Sequence, residues 1–386
     1  MTTPAIHLID TRDSRWSAVF AAGMAARGGA PSSIVIGIGS GAGWKLHAAG
    51  IERAHTIAPA MGRAEFAARA IRRAAGDAAG TGSIVHAWSA GAAAAGRIAF
   101  PRSPLVVSLD ESPEHLGSSA KRAVRSASAI TGASPEVLGS WRSEMGHGGL
   151  AIPFPVEIRR DDDHHVRAAR RAEWGLSDSD IAIGAVGEPA SSVDAFAVSF
   201  VAGVLGVGGV KAAAIVPEGA RFIERARRHS MAHEHPWPVI VDPRPPWEVL
   251  RGCDLAVWSC RRPASDHGRS MNPAPSVSAL AWPAAMGVPI IAHEAPGVAE
   301  TVGGEAGARI IRESSVGGPL ALARAALSAI KEPDETRRRV EHARNHIGGH
   351  ASIASFLEAI REAYARARPA GARWEHGARS LTAASR

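Results

Sequence analysis

Two adjacent carboxylates, Asp110 and Glu111, follow the short apolar run Leu105-Val-Val-Ser-Leu. Paired acids at the end of a buried strand suit acid–base work or the gripping of a hydroxylic acceptor; the competing reading is a turn without a chemical task. His86 ends another apolar run and is a candidate proton acceptor, or else a structural histidine. The loop Cys260-Arg-Arg-Pro-Ala-Ser-Asp-His-Gly-Arg-Ser carries Arg261, Arg262 and Arg269. Loops after parallel strands face the ligand side of their sheet, so these guanidiniums are candidates for holding phosphate; a solvated basic loop is the plainer reading. Ser276 stands where a hydroxyl caps a helix whose free N–H groups favour an anion.

Other motif-like stretches carry less. Gly37-Ile-Gly-Ser-Gly-Ala-Gly has the form of a dinucleotide fingerprint, but it follows the second strand. The nearest acid at the right distance, Glu65, falls inside an expected helix, so the glycines read as a loop facing the cleft. Arg159-Arg-Asp-Asp-Asp-His-His reads as a charged interdomain linker or helix start, since consecutive residues cannot all converge on one ion. His147 sits in a glycine-rich turn. Cys253 and Cys260 match no zinc or redox spacing and read as ordinary core or strand-edge residues of a protein from a reducing compartment. No P-loop, His-Glu-x-x-His or nucleophile elbow is present.

The elements that must position these residues alternate along the chain. Strands are expected at 6–10, 33–38, 83–87, 105–109 and 129–131, with helices at 14–27, 63–75, 90–96, 118–126 and 135–144. A second alternating half has strands at 181–186, 212–216, 239–242, 255–258 and 288–292, with helices at 193–205, 220–228, 298–302 and 319–330. Helices at 334–346 and 353–366 end the ordered chain. Alternation of this kind implies parallel sheets covered on both faces. At 386 residues, two domains are expected. The formal charge of +7 is spread along the chain without interleaved aromatics, which argues against a nucleic-acid partner. No run of 18 apolar residues and no leader-like N-terminus is seen, so a cytoplasmic location is expected.

The stretch from Ser276 carries a resemblance. An apolar helix stops at Gly287, Pro289 and a short strand follow, then a turn through Gly297 and a second helix with Glu300. This layout resembles the donor-nucleotide region of family 4 (group 1) glycosyltransferases, which show Glu-Ala-Met-Ala-x-Gly-x-Pro-Val-Val-Ala followed by Gly-Gly-x-x-Glu. Weaker likenesses occur in order at Ser83-Ile-Val-His-Ala-Trp, Ser128-Ala-Ile-Thr-Gly-Ala-Ser, Ile152-Pro-Phe-Pro-Val-Glu and Pro246-Trp-Glu-Val-Leu-Arg-Gly-Cys-Asp. The resemblance implies the GT-B plan, two Rossmann-like parallel-sheet α/β domains facing each other across a cleft. The implied division is 1–157 (acceptor side), 158–352 (donor side), 353–368 as a terminal helix packing back across the domains, and 369–386 as a loose tail.

The resemblance also implies transfer of a sugar from a nucleotide-sugar co-substrate, with retention and without a metal or other cofactor. The acceptor would be a glycan, lipid or small molecule, with polysaccharide biosynthesis and peripheral membrane contact among the family's settings. Gly297 and Glu300 would join Arg261, Arg262, Arg269 and Ser276 on the donor, and Asp110, Glu111 and His86 would serve catalysis. The chain departs from the family at three decisive places. Ala274 and Trp282 replace its paired glutamates, and Glu188 stands about where an Arg meets the diphosphate. The alternative is therefore a catalytically degenerate GT-B protein with a binding or regulatory task.

Overall fold

The computed structural model describes residues 4–11, 15–39, 42–52, 54–57, 64–76, 82–111, 113, 116–145, 148–158, 164–260, 276–312 and 318–368. Seven parallel strands form the first sheet: β1 (Ala5–Asp10), β2 (Ile34–Ile38), β3 (Ala54–Ile57), β4 (Ile84–Ala87), β5 (Leu105–Leu109), β6 (Ala129–Gly132) and β7 (Leu150–Ala151). Their spatial order is β3-β2-β1-β4-β5-β6-β7. Six strands form the second sheet: β8 (Ile181–Val186), β9 (Ala212–Pro217), β10 (Val239–Asp242), β11 (Leu255–Trp258), β12 (Ile290–His293) and β13 (Arg309–Ile311). Their order is β10-β9-β8-β11-β12-β13, again all parallel. Strand order reverses between β1 and β4 in one sheet and between β8 and β11 in the other. Crevices for ligands open at the carboxyl ends of strands at such reversals.

Two edge strands were not legible in sequence. β3 carries His55 and Thr56 and has no buried residue, so its composition lacks the apolar run of a central strand. β13 is three residues long. The helix after β1, here α1 (Trp16–Arg27), is buried over most of its surface. Among the described residues, no helix is long and apolar enough to cross a membrane.

The charged segment near residue 160, expected as a solvated linker or helix start, begins a helix, but its arginines are not all solvated. Its described part is a helix, His164–Glu173, that turns two arginines inward. Arg171 is 1% exposed. It donates to Asp254 Oδ2 at 2.8 Å and to the carbonyls of Ser177, Gly252 and Asp180. Arg167 donates to Asp254 Oδ1 at 2.6 Å. The backbone N–H of Ala182, on β8, also donates to Asp254. One carboxylate thus fastens this helix to the second sheet.

The last helix, Ile353–Ala367, lies on the first sheet and carries Tyr364 and Phe356 into its core. His86 is enclosed there, not placed at the cleft edge as its strand-end position suggested. It is fully buried, with Nδ1 2.8 Å from Tyr364 Oη and Nε2 2.8 Å from Ser108 Oγ. Its register neighbour His7, equally buried, accepts from Trp88 Nε1 at 3.2 Å. Burial holds both imidazoles neutral, His7 down to about 3 and His86 well below its ordinary value of 6.5, where neighbouring His7 adds to the effect.

Two expectations follow. Asp254→Ala leaves the Arg171 guanidinium buried without its carboxylate and lowers stability by about 3 kcal/mol, measured by urea unfolding. Stability also falls with acid, because the unfolded chain takes up protons on His7 and His86 first. The His7 contribution is full above pH 6.5 and lost as pH drops toward about 3, at up to about 1.4 kcal/mol per pH unit, and His86 acts in the same direction below pH 6.5. Unfolding midpoints from pH 7 to 4, with His7→Phe and His86→Phe as comparisons, measure it.

Candidate active site

The carboxyl ends of β1, β5 and β8 converge at the start of α1. Arg15 immediately precedes the helix. Its Nη1 donates to Asp110 Oδ1 at 2.6 Å and its Nη2 to Glu111 Oε2 at 2.7 Å. The Asp110 side chain is wholly buried, and its Oδ2 has no hydrogen-bond partner among the described residues. Glu111 Oε1 accepts from the N–H of Ala90, in the first turn of the helix Ala90–Ala99, at 3.3 Å. The Glu111 carbonyl accepts from Trp141 Nε1 at 2.6 Å. Burial pushes the Glu111 carboxyl up; the Arg15 guanidinium opposes this and the Asp110 charge adds to it.

A third acid reaches the same place from the other domain. Glu188, just past β8, is 1% exposed. Its two carboxyl oxygens stand 3.0 and 2.9 Å from the Ser17 amide nitrogen, which donates to them. First-turn amides of a helix have no partner within the helix, so this carboxyl serves as a cap supplied in trans. Burial raises the Glu188 carboxyl to about 8; the Ser17 amide opposes this and Asp110 reinforces it. Near neutral pH Glu188 is therefore largely an uncharged acid. It does not set a full negative charge where the family resemblance puts a diphosphate.

Trp282 also ends at Ser17. Its Nε1 donates to Ser17 Oγ at 2.9 Å. The ring is fully buried and packs 5.2 Å from Phe20 and 4.6 Å from Trp247, centroid to centroid. Trp247 in turn meets Trp16 at 5.6 Å. An aromatic block thus fills the seam between α1 and the second domain. Beside it, 184–188, Asp242, Arg244 and Ala279 line a narrow cleft with a cavity volume of about 40 Å³, and Trp16 closes one wall. Asp242 and Arg244 pair across its rim, and Trp174 Nε1 donates to Asp242 at 2.9 Å.

Ser276 caps the segment that follows, accepting from the Ser278 N–H at 3.3 Å. Its own N–H donates to the Glu188 carbonyl at 2.6 Å. Gly287 stops the next helix in the left-handed conformation, φ 69°. Gly297 and Glu300 line a different opening, together with Glu136, Glu294 and Arg312. Gly297 has φ 85°, and a Cβ there would stand 3.0 Å from Glu136 Oε2, an atom of the first domain. The left-handed backbone calls for glycine here, and a side chain would also displace the Glu136 carboxyl. Glu300 is exposed in the first turn of the helix Val298–Val302.

The structure thus gathers Asp110, Glu111, Glu188 and Ser276 about the start of α1; Gly297 lies against Val277, next to Ser276, but with Glu300 lines a different opening. Arg261, Arg262, Arg269, Ala274 and His147 lie outside the described residues. Sequence reading passed over Arg15, Ser17 and Glu136. The available signal for Arg15 was its place between the first strand and first helix, at the strand-order reversal.

No family model and no curated protein sequence matches the chain. Solved structures do. HepE of Anabaena, in complex with UDP and glucose, superposes with TM-score 0.69 over 93% of this chain and 99% of its own, at 17% identity. The fold is GT-B. A glycosyltransferase from Rickettsia africae gives TM-score 0.68 over 95% of this chain and 99% of its own, at 12% identity. Sucrose-phosphate synthase from Thermosynechococcus elongatus gives 0.60 over 94% and 98%, also at 12%. In GT-B terms the cluster at Arg15 and the cleft beside Glu188 occupy the two walls of the interdomain cleft.

Arg15→Ala removes the one cation that the described contacts place between Asp110 and Glu111. Stability at pH 7 should drop by about 3 kcal/mol, and the loss should shrink as pH falls toward 4 and Glu111 takes up a proton. Thermal melts of both proteins across that range measure the difference.

Proposed function

We propose that this chain binds a nucleoside-diphosphate sugar in the cleft beside Glu188 and transfers the sugar to an acceptor held by the first domain. The observation that carries this reading is the meeting of both strand-order reversals at one cleft: an apolar-walled pocket on one side, an Arg15–Asp110–Glu111 cluster on the other. HepE, of the same fold, is described with UDP and with UDP-glucose, which supports this class of donor.

In such a transfer the bond from the sugar C1 to the diphosphate breaks, and a bond to the acceptor oxygen forms. The protein's task is to stabilise the departing negative charge and to orient the acceptor hydroxyl. Arg261, Arg262 and Arg269 are proposed to meet the diphosphate, aided by the segment that Ser276 caps. Asp110 and Glu111 are proposed to orient the acceptor. Gly297 and Glu300, on the neighbouring opening, are proposed to meet the donor sugar. Retention, independence from metal ions, a cytoplasmic setting and a polysaccharide or membrane-surface acceptor belong to the same proposal and rest on the family resemblance. His86 is omitted, since it is sealed in the core.

A second reading draws on Trp282. Its indole stands at the sequence position of a family glutamate and is bonded to Ser17 within the aromatic block. A protein that binds a nucleotide or partner without transferring sugar would have this seam.

A thermal-shift series against UDP, GDP, ADP and their sugar conjugates tests the proposal. One nucleotide should stabilise the protein, by about 2.7 kcal/mol at a hundred times its Kd. Arg261→Ala combined with Arg262→Ala should abolish that shift, and the matching conjugate should be turned over. Binding without turnover or hydrolysis selects the second reading; no shift with any nucleotide removes the first.

A further inference from the structure

The short helix Val298–Val302 carries Glu300, and the carbonyls of its last turn have no partner inside the helix. We propose that His342 and His346, on the long helix Pro333–His350, are positioning residues for the donor: they hold this turn and so set where Gly297 and Glu300 meet the donor sugar. The role rests on the reading that the sugar enters the opening lined by Glu300.

His346 Nε2 stands 2.7 Å from the Glu300 carbonyl, and His342 Nε2 stands 3.1 Å from the Gly303 carbonyl. A carbonyl only accepts, so each imidazole carries a proton on Nε2 and donates it. The two histidines are four residues apart and share a face of their helix. Next to them in sequence, Ala343 and Ile347 are buried and seat that helix in the core. Gly303 lets both rings approach: its φ is 76°, and a Cβ there would stand 2.9 Å from His342 Nε2 and 3.1 Å from His346 Cγ. The His346 ring also packs edge-on against His350, with centroids 4.4 Å apart.

The residue that is held is also the residue that lines the opening. Glu300 gives its carbonyl to His346, while Glu300 and Gly297 line the opening with Glu136 and Arg312. Thr301 Oγ1 donates to the Gly297 carbonyl at 2.7 Å, which ties the turn to its own glycine. A helix of five residues has too few hydrogen bonds of its own to fix such a turn. The clamp itself is anchored: the helix Pro333–His350 runs into Ala351, whose carbonyl accepts from the Val156 N–H at 3.1 Å where the chain crosses between the sheets. His342 is exposed and His346 half-buried, so water can replace either imidazole, and their loss should loosen the turn without unfolding the protein.

The test uses the full chain with His342→Ala and His346→Ala combined, and with His342→Gln and His346→Gln combined, whose amide N–H groups can still donate. Without ligand, hydrogen exchange over 299–304 should quicken about tenfold in the alanine pair, stay near wild type in the glutamine pair, and remain unchanged at β12 in both. Whichever of UDP, GDP and ADP stabilises the wild type is then compared with its glucose conjugate. The alanine pair should bind the bare nucleotide within about twofold of wild type and lose about tenfold in affinity for the conjugate, and the glutamine pair should recover most of that loss. Unchanged exchange over 299–304 overturns the clamp. Equal losses for nucleotide and conjugate, or no rescue by glutamine, overturn the positioning role. A wild type that binds no nucleotide overturns the donor reading and this role with it, while the exchange result still decides whether the imidazoles hold the turn.

Discussion

The amide of Ser17 is the point on which the arrangement of the two domains turns. A first-turn N–H of a helix must find a partner outside the helix or face water. Here it faces neither solvent nor its own domain, but a carboxyl from across the cleft. That choice forces the rest. A buried acid against a buried helix start must shed its charge or be paired, and the nearby guanidinium of Arg15 is committed to Asp110 and Glu111. The aromatic block of Trp16, Phe20, Trp247 and Trp282 then keeps water from the junction.

These same residues bear on function. In the family that the sequence resembles, a cation and a glutamate stand where this chain has Glu188 and Trp282. The structure shows that the replacements are not idle. They form the seam between the domains, one capping α1 and the other filling the space beside it. Under the proposed function, a donor entering this cleft would meet a buried acid whose carboxyl is pushed up by burial, and its diphosphate would draw on cations from elsewhere in the chain. The loop carrying Arg261, Arg262 and Arg269 is the nearest source in sequence, immediately ahead of the Ser276-capped segment.

Much of the fold was legible because its signals are local. Central strands of a parallel sheet are continuous apolar runs, and 105–109 or 255–258 can hardly be read otherwise. Gly287 and Ser276 announce a helix stop and a cap, and the structure has both. What sequence withheld depends on contacts between distant residues. The histidine at 86 ends its strand as expected, yet the last helix, some 270 positions later, covers it with Tyr364. The arginines of His164–Glu173 look solvated until Asp254 is placed beneath them. Glu136 draws no notice in sequence, yet its carboxyl comes up against Gly297 of the second domain. Arg15 sat in a loop that matched no family motif, and its partners lie 95 and 96 residues away.

Hydrogen exchange at the Ser17 amide tests the interdomain junction most directly. A helix-start amide that faces water exchanges almost as fast as one in an unfolded peptide. With Glu188 as its partner, Ser17 should instead exchange as slowly as the central strands at pH 6, and Glu188→Ala should restore fast exchange there while leaving β4 and β11 protected. Fast exchange at Ser17 in the unaltered protein would contradict the junction, and with it the view that these two domains are held by a carboxyl group at the start of α1.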